Sequence, residues 1–366
     1  MNVRCEQLKY KLLDIIMLSG EVFLKDFIAL GYSREYITKT LNKLKTEKIV
    51  KEGWLNTYKT YRITTKGKKY LMNKDNKKYE PFLNYLSETN TIKTELKRRE
   101  RKIKLAQIII MLLQTKTKIF TCEKNYLYNE KSSDYPDDKS EVMEFYSSIE
   151  LKSLIYEFQK ARGSRALGIL ITATSICILY NTNDSLMTWH HATENKFRTL
   201  VEMEIARKIF KGRKNIKTVI VGDNGYMIEK ILKSCGGVKK QKLGIFPDEE
   251  NKHFISRLDF NITEFKTISD TEFFESIKTY VKNKYGLISY KKGTIFEISK
   301  DGVPFIYAFD LNLKLINDFC NYLDMWKSRG IIICFKHQKE YLEGYCGKCA
   351  DFIEIEKGEF GIEESS

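Results

Sequence analysis

Between Gly31 and Thr65 the spacing of apolar residues switches from a helical period to a strand period, and this switch constrains the fold more than any other feature of the chain. Ile37, Leu41 and Leu44 recur at i, i+4 and i+7, one stripe of a helix, with Ser33 standing where an N-cap belongs. Arg34, Thr38, Lys39, Asn42, Lys43 and Lys45 fall off that stripe, so the helix has a basic, hydrogen-bonding outer face. Ile49 and Val50 then open a strand, Gly53 to Thr57 supplies turn residues, and Thr60 to Thr64 alternates Tyr and Ile with polar neighbours. Upstream, Leu8, Leu12, Ile15 and Ile16 predict a first helix ended by Gly20, Val22 to Ala29 reads as a short second helix, and Gly31 is its left-handed stop.

Helices followed by a hairpin, in this order, is the arrangement of a winged helix-turn-helix. A helix of this width fits the major groove of B-form DNA, where Arg, Lys, Asn and Thr meet base edges, while hairpin cations reach phosphates. The expected DNA-binding set is Ser33, Arg34, Thr38, Lys39, Asn42, Lys43 and Lys45 on the helix, with Lys51, Lys59 and Arg62 on the hairpin. The segment LNKLKTEKIVKEGWLNTYKTYRITTKGKKYL (Leu41 to Leu71) resembles the recognition helix, wing and closing T-x-x-G turn of winged-helix regulators. Such modules also serve as protein-protein adaptors, and charge decides between the two uses.

The net charge of +15 is not spread evenly. Residues 1–131 hold 29 Lys and Arg against 14 Asp and Glu, whereas the remainder holds 34 of each. All of the excess therefore sits in the first third, as expected of a polyanion-binding module attached to a neutral body. Double-stranded DNA is the expected partner.

Three domains are expected: the winged helix over 1–78, a helical linker and loop over 79–140, and a mixed α/β body over 141–366. Lys68 to Tyr79, rich in Lys and Asn, reads as a solvated helix end or linker. Within Thr91 to Thr115, Ile92, Leu96, Ile103, Ile110 and Leu113 share one face of a long joining helix, and Lys97, Arg98, Arg101, Lys102 and Lys104 cluster on another, where they can lie along a DNA backbone. Glu123 to Ser140 is a polar loop. The body alternates elements: a helix over 149–160, an antiparallel pair at Gly168–Thr172 and Ser175–Asn181 extended by Met187–His191, a helix from Glu194 to Phe210 capped by Thr193, and a strand Lys217–Val221 leading through a turn to a helix. Further β-rich and helical runs follow at Phe254–Asp259, Phe273–Tyr285 and Gly293–Phe309, and Leu313–Arg329 and Gly330–Phe335 read as a last helix and strand.

The body carries a second resemblance. FYSSIELKSL (Phe145 to Leu154), GSRALGILIT (Gly163 to Thr172), CILYNT (Cys177 to Thr182), TWHHATENKFR (Thr188 to Arg198) and GIIICFKHQKEYL (Gly330 to Leu342) resemble the body of the replication-relaxation proteins of plasmids and integrative elements in low-GC Gram-positive bacteria, which also begin with a winged helix. The resemblance implies a sequence-specific duplex-binding protein of a mobile element, acting in replication, mobilisation or their control, with a homodimer and replication or transfer machinery as further partners.

Two other functions remain open on the residues. A Mg²⁺-dependent nuclease or nicking enzyme needs convergent carboxylates at a sheet edge, and the candidates are Glu194 at its helix start, Asp223 after KTVIV and Asp310 after FIYAF, with the Glu150, Lys152 pair beside them. Strand-end aspartates also cap ordinary helices, and no P-D followed by E-x-K occurs at strand spacing. A two-histidine relaxase is disfavoured because His190 and His191 are adjacent and would face opposite ways on a strand. A ligand-sensing regulator needs a pocket in the body. Cys346 and Cys349 form a single C-x-x-C without a second paired spacing, so neither a metal nor any other cofactor is expected beyond Mg²⁺ in the nuclease case. The isolated cysteines and the absence of a signal peptide or a membrane-length apolar run predict a cytoplasmic protein.

Overall fold

A computed structural model describes residues 3–85, 96–115, 117–128, 143–212, 214–234, 242–245, 252–287, 291–292 and 296–356. The chain is a mixed α+β protein with several sheets, and its contacts divide it into two compact units, residues 1–137 with 142–150, and 138–141 with 151–366.

In the first unit α1 (Val3–Ser19) buries Leu8, Leu12, Ile15 and Ile16 on its predicted stripe and stops at Gly20, whose φ is +87°. The short second helix expected over Val22 to Ala29 is present from Leu24 on, as a 3₁₀ helix over Leu24–Leu30 ended by Gly31 at φ +80°, while its first two residues form β1 (Val22–Phe23), antiparallel to a later strand. α2 (Arg34–Thr46) starts at Ser33, whose hydroxyl accepts from the Tyr36 amide, and buries Ile37, Thr40, Leu41 and Leu44. β2 (Val50–Leu55) and β3 (Tyr58–Ile63) then pair antiparallel around a two-residue turn, Asn56–Thr57, with Asn56 at φ +54°. Gly53 therefore lies within the strand and not in the turn, because the left-handed position falls on an asparagine, which tolerates it.

Thr64 caps α3 (Thr65–Lys74), accepting from the Gly67 amide at 3.0 Å and donating to the Lys48 carbonyl at 2.6 Å. A Cβ on Gly67 would stand 2.2 Å from the Ile49 carbonyl oxygen and 2.7 Å from Ile63 Cγ1. Gly67→Ala is accordingly expected to destabilise the unit by about 2 kcal/mol, the scale of an overpacked core. A urea melt of the variant superimposing on wild type would refute this close approach.

The stretch read as a solvated end continues as α3 and α4 (Asn76–Tyr85). The joining helix is α5 (Leu96–Leu112); Ile92 and the rest of 91–95 lie outside the described residues. It does not present one apolar face, because Leu105 through Leu112 are all buried, and it packs on α1, on β1 and on the 3₁₀ turn. A helical run buried on every side, apolar but for Gln107, which donates to Asp26, is an interior helix, so α5 belongs to the core of this unit. β4 (Glu144–Ser147) and the start of α6 (Ser148–Leu154) complete it, held by Glu144, which accepts from the amides of Asn125 and Tyr126, and by the buried Lys124–Glu150 pair at 2.6 Å. Most of the polar loop expected over 123–140 lies outside the described residues.

The second unit contains two sheets. β5 (Gly168–Ile171) and β6 (Ser175–Asn183) are the expected antiparallel pair. The extension expected at Met187–His191 is no strand: α7 (His191–Leu200) begins there, three residues before Glu194, with His190 and not Thr193 at the cap, and runs on as a π-helical turn over Val201–Arg207. β7 (Asn215–Gly222) lies parallel to β6, α8 (Met227–Leu232) follows, and β8 (Lys252–Ser256) lies parallel to β7. Next come α9 (Ile262–Ser269) and α10 (Thr271–Tyr285), of which only the latter is legible in the sequence. The second sheet comprises β9 (Lys291–Lys292), β10 (Glu297–Ile298) and β11 (Pro304–Tyr307), antiparallel in turn, then α11 (Leu313–Trp326), β12 (Gly330–Phe335), α12 (Lys336–Cys346) and β13 (Ala350–Ile355), with β11, β12 and β13 parallel. Phe305, Ile333, Phe335 and Ile355 of this sheet, with Phe309 just beyond β11, close against Ile277 and Val281 of α10. The two sheets adjoin where the Phe254 amide donates to the Leu311 carbonyl at 3.1 Å.

Candidate functional site

The residues off the stripe of α2 are outward. Arg34, Lys39, Asn42, Lys43 and Lys45 are exposed, and a shallow depression is lined by Arg34, Glu35, Thr38, Lys39 and Asn42. Thr38 is half-buried and spends its hydroxyl on the Arg34 carbonyl at 2.8 Å, while Ser33 is committed to the cap. Four basic side chains thus share an exposed helix face with Asn42 and with one acid, Glu35.

The hairpin does not present its three cations together. Successive strand residues point to opposite faces, so Lys59, paired across the ladder with Trp54, lies on the face shared with Glu52, while Lys51 and Arg62 face each other on the other side. On the first face Glu52 bridges Lys45 of α2 at 3.0 Å and Lys59 at 3.3 Å, which holds its carboxyl below the ordinary range, chiefly through the hydrogen bond from Lys45. On the second face Arg62 is half-buried and directed at Glu21, 3.8 Å away. Burial and the neighbouring Arg62 charge lower the pKa of Lys51. Arg62 therefore belongs to the interior side of the hairpin and is not a surface cation beside Lys59.

Glu21 anchors that interior side. It is 1% exposed, accepts from Arg99 Nε at 3.0 Å and Nη2 at 2.5 Å, and Arg99 Nη2 also donates to the Trp54 carbonyl at 2.8 Å. Burial pushes the Glu21 carboxyl up, but the hydrogen bonds from Arg99 and the Arg62 charge outweigh it and leave the pKa lowered. The basic turn of α5 thus spends its third residue after Leu96 on the hairpin. Of the others read as a basic row, Lys97 and Arg98 are exposed, whereas Arg101 donates to Ser148 at 3.0 Å. Neither Glu21 nor Glu52 was visible as a partner in the sequence; period-2 alternation places Glu52 on the Lys59 face, but nothing local links Glu21 to a residue 78 positions away.

In the second unit the three candidate carboxylates go to separate partners. Glu194 is buried and accepts from Ser164 Oγ at 2.7 Å, Tyr180 OH at 3.0 Å and the Arg165 amide at 2.9 Å, so it stitches a loop to β6. Asp223 takes Arg257 Nη2 at 2.8 Å. Asp310 faces His253 Nδ1 at 3.1 Å and accepts from the Asn312 amide at 3.3 Å, beside Leu311 at the strained φ of +44°. His253 Nδ1 also lies 3.3 Å from the Asp310 carbonyl oxygen, a pairing the sequence did not reveal because the two residues are 57 apart. His190 caps α7 and His191 sits on its first turn beside Asn195.

Cys346 and Cys349 are buried thiols, with Cys349 Sγ donating to the Cys346 carbonyl at 3.3 Å. Burial and the neighbouring Cys320, which is hydrogen-bonded to both, push the Cys349 thiol up to about 12. Among the described residues no three His, Cys, Asp or Glu side chains converge as metal ligands, and no helix is long and apolar enough to cross a membrane. An apolar cavity in the first unit, walled by Leu18, Phe82, Ile109 and Phe145, has the ion-paired Glu150 at its edge.

These features define a mixed α+β chain with a basic helix face in one unit and dispersed polar pairs in the other. No protein-family model, curated protein or solved structure matches it.

Proposed function

We propose that the first unit is a winged helix-turn-helix that binds duplex DNA, with α2 as the helix offered to the major groove and the Lys59 face of the hairpin alongside it. The observation that carries this reading is the outer face of α2, where Arg34, Lys39, Asn42 and Lys43 are exposed above a fully buried Ile37–Leu41–Leu44 stripe. Arg and Asn are the side chains that read guanine and adenine edges bidentately, and lysines meet phosphates. The confinement of the +15 charge to residues 1–131 supports the same partner. On the resemblance of its body segments, the protein serves replication, mobilisation or their control on a plasmid or integrative element, and the second unit mediates self-association or recruits the machinery.

Selection of bound fragments from random and native plasmid DNA by the full chain tests the reading. Enrichment at a replication origin, a transfer origin or a promoter identifies the role; binding no stronger than to an uncharged polymer, at any ionic strength, rejects it. Arg34→Ala and Asn42→Ala are each expected to lose about 1–3 kcal/mol of discrimination at one base position, whereas Lys39→Ala weakens all sequences alike. Lys59→Ala has a smaller effect, because Glu52 already neutralises that ammonium. Glu52→Gln frees Lys45 and Lys59 together, tightening non-specific binding and steepening the salt dependence by roughly one to two counterions; an unchanged slope in a salt titration would show that the two lysines do not reach phosphate.

A further inference from the structure

Glu35 is the single acid on the outer face of α2, and attraction to a polyanion does not account for it. Arg34, Thr38 and Asn42 follow one another one turn apart along the helix, Glu35 and Lys39 form the row beside them, and all five line the same depression. Glu35 is exposed, and among the described residues no ion pair or side-chain hydrogen bond engages its carboxylate. Lys39 stands at the i,i+4 position that favours a pair, yet the two do not join. The acids that border this face are occupied: Glu47 takes Lys9 at 3.4 Å, and Glu52 takes Lys45 and Lys59. A free carboxylate on a face that meets phosphates costs affinity through repulsion, unless the bound DNA offers it a donor.

Donors are scarce in the major groove. Only the N4 amino group of cytosine and the N6 amino group of adenine supply them, whereas guanine and thymine turn acceptors outward. Adenine sets its N7 acceptor beside N6, against the second carboxylate oxygen, while cytosine has the N4 donor and no acceptor of its own in that groove. The N-terminal residues of a recognition helix are those that reach base edges, and Glu35 follows Arg34 at the start of α2. We infer that Glu35 is a specificity determinant: its carboxylate accepts from the N4 amino group of one cytosine and repels the acceptor edges of other bases at that position. A first-turn acid also complements the helix dipole, but that role is indifferent to the base sequence bound, so the two are separable. This inference rests on the DNA-binding reading above and adds to it a base that the same face selects.

Selection of bound sequences from duplexes with a randomised core, by the full chain in parallel with Glu35→Gln and Glu35→Ala, tests it, followed by fluorescence anisotropy on labelled duplexes that differ only at the selected pair. Wild type is expected to require one C·G pair and to lose roughly 10- to 100-fold in affinity when it is replaced. N4-methylcytosine at that position, which still pairs but carries a methyl where the groove-facing N–H was, should cost wild type a similar factor. Glu35→Ala is expected to bind all versions of the pair within about threefold of one another, with the preferences at other positions kept. Glu35→Gln, carrying the amide that matches adenine N6 and N7, should move the preference from cytosine to adenine. If a circular dichroism melt shows that the alanine variant is unfolded, the glutamine variant, of the same shape, carries the test. Wild type binding duplex with no preference for cytosine at any position, variants that keep the wild-type preference, or a parallel loss on every duplex in a folded variant overturns the assignment and leaves the DNA reading standing. Failure of wild type to bind any duplex overturns both.

Discussion

Lys252→Met removes most of the rise in stability that the wild-type protein shows between about pH 7 and about pH 9, expected to be about 2 kcal/mol. Lys252 lies on β8, almost fully buried, with Nζ donating to the Gly244 carbonyl at 3.0 Å and standing 5.0 Å from the Trp189 ring centre. Burial, and secondarily the Lys314 charge, lowers its pKa from 10.5 to about 7. A base whose folded pKa is depressed binds its proton more weakly in the folded chain, so over this window the unfolded chain carries the proton that the native one lacks. The contribution to stability is therefore fully present above pH 10.5 and is lost as pH falls towards 7. Methionine occupies a similar volume without titrating, and its loss of the hydrogen bond shifts stability at both pH values alike. Chemical denaturation of both proteins at the two pH values measures the difference, and parallel pH profiles would show that the ammonium is not held in a low dielectric.

Arg99→Ala is expected to destabilise the first unit by about 3 kcal/mol, the lower end for breaking a buried ion pair by removing one partner. The loss is set less by the missing arginine than by Glu21, 1% exposed in wild type, whose carboxylate would be left facing Arg62 at 3.8 Å. The pH dependence separates this cause from mere packing. In wild type the lowered pKa of Glu21 contributes stability above the unfolded carboxyl pKa that is lost as pH falls through the folded value. Without Arg99 the burial effect is left to dominate, the pKa moves up, and protonation relieves the penalty. The gap between variant and wild type should therefore narrow on acidification. Arg99→Lys should recover part of the loss, since one ammonium cannot make the fork of bonds that spans Glu21 and the Trp54 carbonyl. A gap that is constant with pH would sink this account.

The basic helix face was legible because it needs only local information: a cap at Ser33, an apolar stripe, and polar residues everywhere else. The paired strands β5 and β6 and the buried β7 were legible for the same reason, as runs of branched residues between turn signals. The apolar run over 105–112 likewise marks an interior helix, and weighing its all-round character over its basic start would have placed α5 in a core. The second helix was legible from Leu24, but its first two residues, β1, carry no period of their own. What makes them a strand is β3, whose Thr60 and Tyr61 pair with Phe23 and Val22.

Sequence by itself determined which residues of α2 can face water and which strands alternate, because backbone periodicity assigns sides without knowing what covers them. Only the tertiary structure decided which side is covered. On one face of the hairpin Arg62 is directed at Glu21, which also binds Arg99 of α5, while on the other face Lys59 stands beside Lys45 through Glu52. The same applies to His253 and Asp310, which meet only where two sheets adjoin. A charge acts at short range and through its surroundings, so its role follows from neighbours that the fold brings from distant parts of the chain.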